Sequence, residues 1–304
     1  MRAAVLHEVG KTLEIADVEI DRPKAGEVRL EVAASGICRS DLSVIHGTLK
    51  SPMPVVLGHE AAGTVVELGE GVTDVSVGDR VIVSLTLACI PIEPEIPFER
   101  ACLLGCGVIT GAGAAFNTPE VTSGAGVAVI GCGGVGLSAI QGARIEGASP
   151  IIAVDIDPAK LELAQELGAT HAVDGRGDVR KAIRKLTGLG VHVAFECLGS
   201  AGTIQTAWEV LRPGGLAVVI GMPRASEQIP IRAGGFFLER RIAGCSYGSA
   251  DPRRDIPRLL QHVIRGELRL DPMVTEELPL ARVQQALDAL AAGEGARHVI
   301  VNSQ

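Results

Sequence analysis

Two short stretches carry side chains that bind soft metals: "GICRSDL" holds Cys38 and "GHEAAG" holds His59. Thiolate and imidazole are donors for a catalytic zinc, which takes three protein ligands and keeps a fourth position open. Two cysteines with one histidine form a recognised set. The third donor must come from later in the chain. "ERACLLGCG" offers two candidates four residues apart, Cys102 and Cys106. Their spacing predicts a helical pair that cannot send both side chains freely to one distant Cys/His site. Spacing alone does not choose between them, and it is not that of a zinc finger.

A second chemistry is written in "VAVIGCGGVGLSAI", where Gly131, Gly133 and Gly136 form G-x-G-x-x-G between a predicted strand and a predicted helix. Gly131 permits the tight turn, Gly133 lets a pyrophosphate approach the backbone, and Gly136 lets helix and strand pack closely. Gly134 and Val135 complete the cofactor-binding loop. The helix start offers unpaired N–H groups and a positive dipole end to phosphate. Asp155 lies 19 residues past Gly136, at the end of the next strand. A carboxylate there binds the adenosine ribose hydroxyls and repels a 2′-phosphate, so NAD is expected over NADP. Lys160 follows within reach of the same ribose.

These groups need a scaffold, and 304 residues suggest two domains. At 47% hydrophobic residues and a mean hydropathy of +0.31, the chain can bury a core. A net charge of −8 and a pI near 5.4 argue against a nucleic-acid or anionic-membrane partner, and 2% aromatics leave little for base stacking. Seven cysteines, an odd number, in a sequence without an evident export signal fit a reducing cytoplasm better than a disulfide framework. Residues 125–143 carry no charge over a length close to a bilayer span. Their glycines predict a buried strand, loop and helix instead. Residues 1–85 read as short β-branched runs between Gly, Pro and Asp turns. From about 125, strands alternate with helices such as "PAKLELAQELG", around 178–187 and around 203–211. That alternation predicts a doubly wound parallel α/β sheet. The tail reads as a helix and then a strand.

Taken in order, "GICRSD", "GHEAAG", "GDRV", "ACLLGCGVITGAGA", "GCGGVG" and "AVDIDPAKLELAQELGA" resemble the zinc-dependent medium-chain alcohol dehydrogenases over nearly the whole chain. The resemblance implies a β-rich GroES-like catalytic domain, 1–108 with 245–304, around a Rossmann NAD-binding domain, 109–244. It implies that Cys106 completes the zinc set with Cys38 and His59, while Cys102 is a packing residue. It further implies that Asp41 orients the His59 ring, that Glu60 is a nearby acid and sometimes an alternative ligand, and that Ser40 takes the substrate proton. Arg39 and Arg297 match positions that contact the cofactor pyrophosphate, and Thr110 a nicotinamide-side position. Relatives of this kind assemble as dimers or tetramers through the edge of the Rossmann sheet, which "PIRAGGFFLERRIAGCS" would present.

The chain departs from the family twice. Ser43 stands where the animal enzymes place a histidine that passes the proton to solvent; His46, three residues on, is the nearest substitute. A lobe of four cysteines around a structural zinc is also missing, together with a strand of the catalytic domain. Between "GDRV" and "ERACLLGC" only Cys89 remains, and one cysteine cannot close such a site. One catalytic zinc and no structural zinc are therefore expected, with the proline-rich "PIEPEIP" expected to stay extended across the gap. The expected activity is hydride exchange between a small-molecule alcohol, or its aldehyde or ketone, and NAD. A polyol or formaldehyde-type dehydrogenase with the same site is an alternative. So is a nucleotide-binding protein impaired by the deletion. A zinc-free quinone reductase is disfavoured by the complete ligand set.

Overall fold

The computed structural model describes residues 1–302 apart from 87 and 119. It contains two compact units: Met1–Cys106 with Pro252–Leu260 and Leu270–Gln304, and Gly107–Asp251 with Gln261–Arg269. The first runs through β1 (Arg2–Leu6), β2 (Glu14–Asp17), β3 (Val28–Gly36), α1 (Arg39–Ile45), β4 (Val55–Val56), β5 (Glu60–Leu68), β6 (Arg80–Val83), β7 (Cys89–Pro91) and α2 (Phe98–Ala101). The second begins with α3 (Gly107–Asn117), β8 (Val127–Ile130), α4 (Gly134–Ile145), β9 (Ile151–Asp155), α5 (Pro158–Glu166) and β10 (His171–Asp174). It continues with α6 (Val179–Thr187), β11 (Val191–Glu196), α7 (Ala201–Glu209), β12 (Leu211–Val219), α8 (Gly234–Phe237) and β13 (Arg241–Gly244). Then come α9 (Pro252–Ile264), β14 (Val274–Pro279), α10 (Val283–Ala292) and β15 (Arg297–Val301).

In the second unit six parallel strands take the order β10-β9-β8-β11-β12-β13. This is the doubly wound arrangement expected from the strand–helix alternation, with its direction reversing between β8 and β11. β8 is buried at every position and β9 at all but its last, as strands covered on both faces must be. The uncharged stretch 125–143 resolves into β8, a loop and α4, and no described helix is long and apolar enough to cross a membrane.

The first unit has a three-stranded sheet, β2-β1-β4, and a six-stranded sheet, β14-β15-β3-β5-β6-β7. Register in the larger sheet matters for chemistry. Gly36 at the end of β3 faces Glu60 at the start of β5, and also Val299 of β15. Cys38 therefore follows one strand, His59 precedes the next, and Arg297 opens the third, all at one end of the sheet.

The proline-rich segment "PIEPEIP" is not the extended bridge expected from its prolines. It turns: the Ile96 N–H donates to the Glu93 carbonyl (3.2 Å). Arg80 donates to the carbonyls of Pro94 (3.0 Å) and Ile96 (2.7 Å) while its guanidinium stacks 4.1 Å from the Phe98 ring centre. A forked donor on β6 thus gathers the segment against the sheet.

Candidate functional site

The metal-binding candidates converge in the first unit. Donor atoms of Cys38, His59, Glu60 and Cys106 all lie within 4.8 Å of one another, the one such group of three or more among the described residues. Asp41 organises it. One carboxylate oxygen accepts the Cys38 backbone N–H at the start of α1 (2.9 Å), and the other stands 3.4 Å from His59 Nδ1. A single buried acid thus holds the backbone of one candidate ligand and the ring of another. With Nδ1 engaged, His59 Nε2 is buried with no hydrogen-bond partner.

Cys106 departs from the helical pair expected with Cys102. Cys102–Gly105 form a tight 3₁₀ turn, α3 starts at Gly107, and Cys106 between them has φ −145° and ψ −72°. That break aims its thiol at the group. Cys102 stays fully buried and donates to the Glu99 carbonyl (3.6 Å).

The electrostatics show why such a group wants a cation. A hydrogen bond from Cys106, aided by His59 and Arg297, holds the Cys38 thiol well below its ordinary range against the effect of burial. The same bond, together with burial, pushes Cys106 up. Burial works to lower the His59 pKa, but Asp41 and Cys38 prevail and push it up to about 10. Protons on Cys106 and His59 thus balance anionic groups at the positions where a metal would displace them. Two thiols, an orphaned imidazole nitrogen and a carboxylate fit zinc by donor type, with bonds of about 2.0–2.3 Å.

Glu60 and Arg297 form a buried pair that spacing did not reveal. Arg297 Nη1 donates to Glu60 Oε1 (3.2 Å) and to the Ile37 carbonyl (3.4 Å). Glu60 Oε2 has no partner. Burial raises the Glu60 pKa to about 8 although Arg297 pulls the other way. Gly36 makes room: a Cβ there would sit 2.4 Å from Glu60 Oε2. The position assigned to the pyrophosphate in the sequence thus holds a guanidinium against a buried acid. Ser40, half-buried, lies 3.7 Å from the Cys38 sulfur; Arg39 is exposed; the Ser43 hydroxyl donates back to the Arg39 carbonyl (3.2 Å); His46 is exposed.

In the second unit the glycine loop joins β8 to α4. Gly131 has φ +93°, Gly133 has open space where a Cβ would be, and a Cβ on Gly136 would lie 1.8 Å from the Gly131 carbonyl. The first and third are required by the turn and its packing, and the second leaves the approach clear. Gly134 and Val135 open α4. Asp155 accepts the Cys132 N–H (2.7 Å) and the Asp157 N–H (3.0 Å), so it anchors the loop as well as standing at the strand end. Lys160 lies in α5, and Thr110 is half-buried in α3. Glu196, at the end of β11, went unread. Its Oε1 accepts from Leu198 N (2.9 Å), Gly199 N (2.8 Å) and Thr203 Oγ1 (2.8 Å), pinning the loop whose Leu198 packs over Gly131. The available signal was an acid ending the apolar run "VHVAFE".

Residues 24–133 match the alcohol dehydrogenase GroES-like domain and residues 134–265 the zinc-binding dehydrogenase domain. The chain is 35% identical to an S-(hydroxymethyl)glutathione dehydrogenase of Synechocystis, covering 98% of this chain and 99% of that one. That alignment runs over 364 positions, more than the 304 residues here, so the relative has residues with no counterpart in this chain. In structure the chain resembles benzyl alcohol dehydrogenase of Acinetobacter calcoaceticus, with a TM-score of 0.95 at 29% identity over 99% of both chains. It also resembles a zinc-binding dehydrogenase of Sinorhizobium meliloti bound to NADP, with a TM-score of 0.87 at 26% identity over 99% of both chains.

Proposed function

Because this chain belongs to the zinc-dependent medium-chain alcohol dehydrogenase family, we propose a role for each residue gathered above in hydride exchange between an alcohol and a nicotinamide cofactor. The observation that carries the assignment is the convergence of Cys38, His59 and Cys106 with an imidazole nitrogen left unpartnered. These three hold one zinc per chain. Bound there, zinc supplies Lewis-acid polarisation of the alcohol or carbonyl oxygen. Asp41 fixes the His59 ring and the start of α1. Ser40 takes the hydroxyl proton, and solvent water carries it onward past Ser43. Arg297 balances the Glu60 charge beside the ligands, and Arg39, exposed at the start of α1, is the arginine left to serve the pyrophosphate. Gly131, Gly133, Gly134, Val135 and Gly136 cradle that pyrophosphate, Asp155 and Lys160 hold the adenosine ribose of NAD, and Thr110 lies beside the nicotinamide.

We assign no structural zinc from the sequence itself: Cys89 is the only cysteine between β6 and α2, and one cysteine cannot close a four-cysteine site. The long alignment with the Synechocystis relative fits a shortened chain, and the placing of the deletion between β6 and α2 rests on the motif order in the sequence. The catalytic and nucleotide domains are assigned to 1–108 with 245–304 and to 109–244. An exposed Phe237 next to edge strand β13 supports assembly of two or four copies through that edge. Seven free cysteines support a reducing cytoplasmic setting.

The test is zinc per chain by elemental mass spectrometry, alongside NAD reduction with benzyl alcohol and the hydroxymethyl adduct of glutathione. About one zinc per chain with turnover of either alcohol is expected. Zinc near zero after zinc-replete expression, with NAD still bound, would replace this reading with that of a nucleotide-binding remnant. Asp41→Asn removes the charge that orients the ring and should weaken zinc about 10–100-fold in a chelator competition, with the melting transition retained. Unchanged zinc affinity would remove Asp41 from its role.

A further inference from the structure

Among the described residues, Glu196 is the one buried acid of the second unit, and no step above uses it. It ends β11 beside β8, where the winding of the sheet reverses and a ligand crevice opens. Its Oε1 takes the N–H groups of Leu198 (2.9 Å) and Gly199 (2.8 Å) and the Thr203 hydroxyl (2.8 Å). Its main-chain carbonyl takes the N–H groups of Ile220 (2.8 Å) and Gly221 (3.0 Å), just past the end of β12. One residue therefore holds the loops that follow both strands. The loops also meet backbone to backbone. A Cβ on Gly221 would strike the Gly199 nitrogen, and one on Gly199 would lie 2.6 Å from the Met222 carbonyl.

The partners of Oε1 are neutral, and the buried Oε2 has none. A buried carboxylate left in that state costs stability that an apolar residue of similar shape would not. What it does for the crevice follows from the groups it engages. N–H groups in a strand-to-helix loop attract anions. Here Glu196 consumes those of Leu198 and Gly199. The Leu198 side chain stays 45% exposed, and its Cγ would lie 2.7 Å from a Cβ on Gly131. Two acids thus bracket the glycine turn. Asp155 ends β9 on one side and holds the Cys132 N–H, and Glu196 ends β11 on the other. The start of α4 is left for phosphate, and the wall after β11 is apolar.

We propose that Glu196 is a positioning residue for the dinucleotide. Through its bonds to Leu198 and Gly199 it holds the Leu198 side chain as an apolar wall beside the glycine turn, against which an uncharged part of the cofactor next to its pyrophosphate rests. The inference rests on the dinucleotide reading of the glycine loop given above. It adds a residue that touches no cofactor atom and acts on cofactor binding, not on zinc or hydride transfer.

Glu196→Gln keeps the shape of the side chain, but an uncharged amide oxygen holds the three donors less strongly than a carboxylate does. The dissociation constant for NAD, measured by calorimetry on the full chain, should rise about tenfold with zinc per chain unchanged. KM for NAD should rise in step while kcat stays within about threefold. Leu198→Ala should weaken NAD by a similar factor, and adding Glu196→Gln to it should cost less than about twofold more, because both act through one contact. Full multiplication of the two effects would overturn the proposal. So would NAD binding by the Glu196→Gln chain as tight as that of the unaltered one. A chain that binds neither NAD nor NADP before any substitution removes the dinucleotide reading, and this inference with it. If Glu196→Gln does not fold, amide exchange on the unaltered chain decides. Protection of the Leu198 and Gly199 N–H groups without cofactor, increased at least about tenfold by NAD, supports positioning. Exchange at the rate of an open loop, or protection that NAD leaves unchanged, removes it.

Discussion

Replacing Cys106 with alanine should reduce zinc from about one per chain to near zero and cut alcohol turnover at least ~10³-fold. The size follows from what is lost. A bound metal contributes several kcal/mol to stabilising charge in the transition state, and each ~1.4 kcal/mol is a tenfold rate change. Cys102→Ala is the control, four residues away and just as cysteine-like in sequence. Its sulfur packs against the Glu99 carbonyl outside the donor group, so turnover should stay within about threefold while stability falls by ~1–2 kcal/mol. Glu60 gives the experiment a third arm. Its unpartnered Oε2 lies among the donors, so zinc retained in the Cys106 variant with turnover lost would mean that Glu60 has taken the vacated position. Adding Glu60→Gln should then clear the metal. Full zinc and full turnover without Cys106 would remove it from the ligand set.

That contrast also marks how far the sequence could be read. Cys38, His59 and the glycine loop were legible because their chemistry depends on residue type and short spacing. The parallel sheet was legible because strands and helices alternate at a regular interval; that alternation fits more than one strand order, and the order β10-β9-β8-β11-β12-β13 comes from the structure. Choosing Cys106 over Cys102 needed either the family resemblance or a backbone angle that spacing does not encode. The expected helical pair was replaced by a 3₁₀ turn that ends one residue before Cys106. The Glu60–Arg297 pair joins residues 237 apart in sequence, brought together only because β3 pairs with both β5 and β15 at Gly36. No local pattern carries such a contact. "PIEPEIP" failed for a related reason: proline favours extension locally, but Arg80 on a neighbouring strand supplies the donors that make the turn stable.

The second large effect is expected at Asp155, and it concerns which nicotinamide cofactor is used. A solved relative at 26% identity holds NADP, so the fold admits a 2′-phosphate, and the choice of cofactor rests on the residue at the end of the second strand. Asp155→Asn keeps the size of the side chain and removes its charge. Hydrogen bonds from ribose hydroxyls to a carboxylate are worth about 1.5–3 kcal/mol each, so KM for NAD should rise about 10–100-fold. The repulsion of a 2′-phosphate disappears in the same step, so the NAD-to-NADP ratio of kcat/KM should fall by about 10²–10³. One complication is built into the structure. Asp155 accepts backbone N–H groups on both oxygens, from Cys132 and from Asp157, and an amide can accept only one of them. Some loss of loop order is therefore expected in the variant, but it acts on both cofactors alike. The ratio separates the two effects: loosening of the loop lowers kcat/KM for NAD and NADP together, and charge removal moves them in opposite directions. A fall in both with the ratio unchanged would leave Asp155 as an anchor of the glycine loop and nothing more.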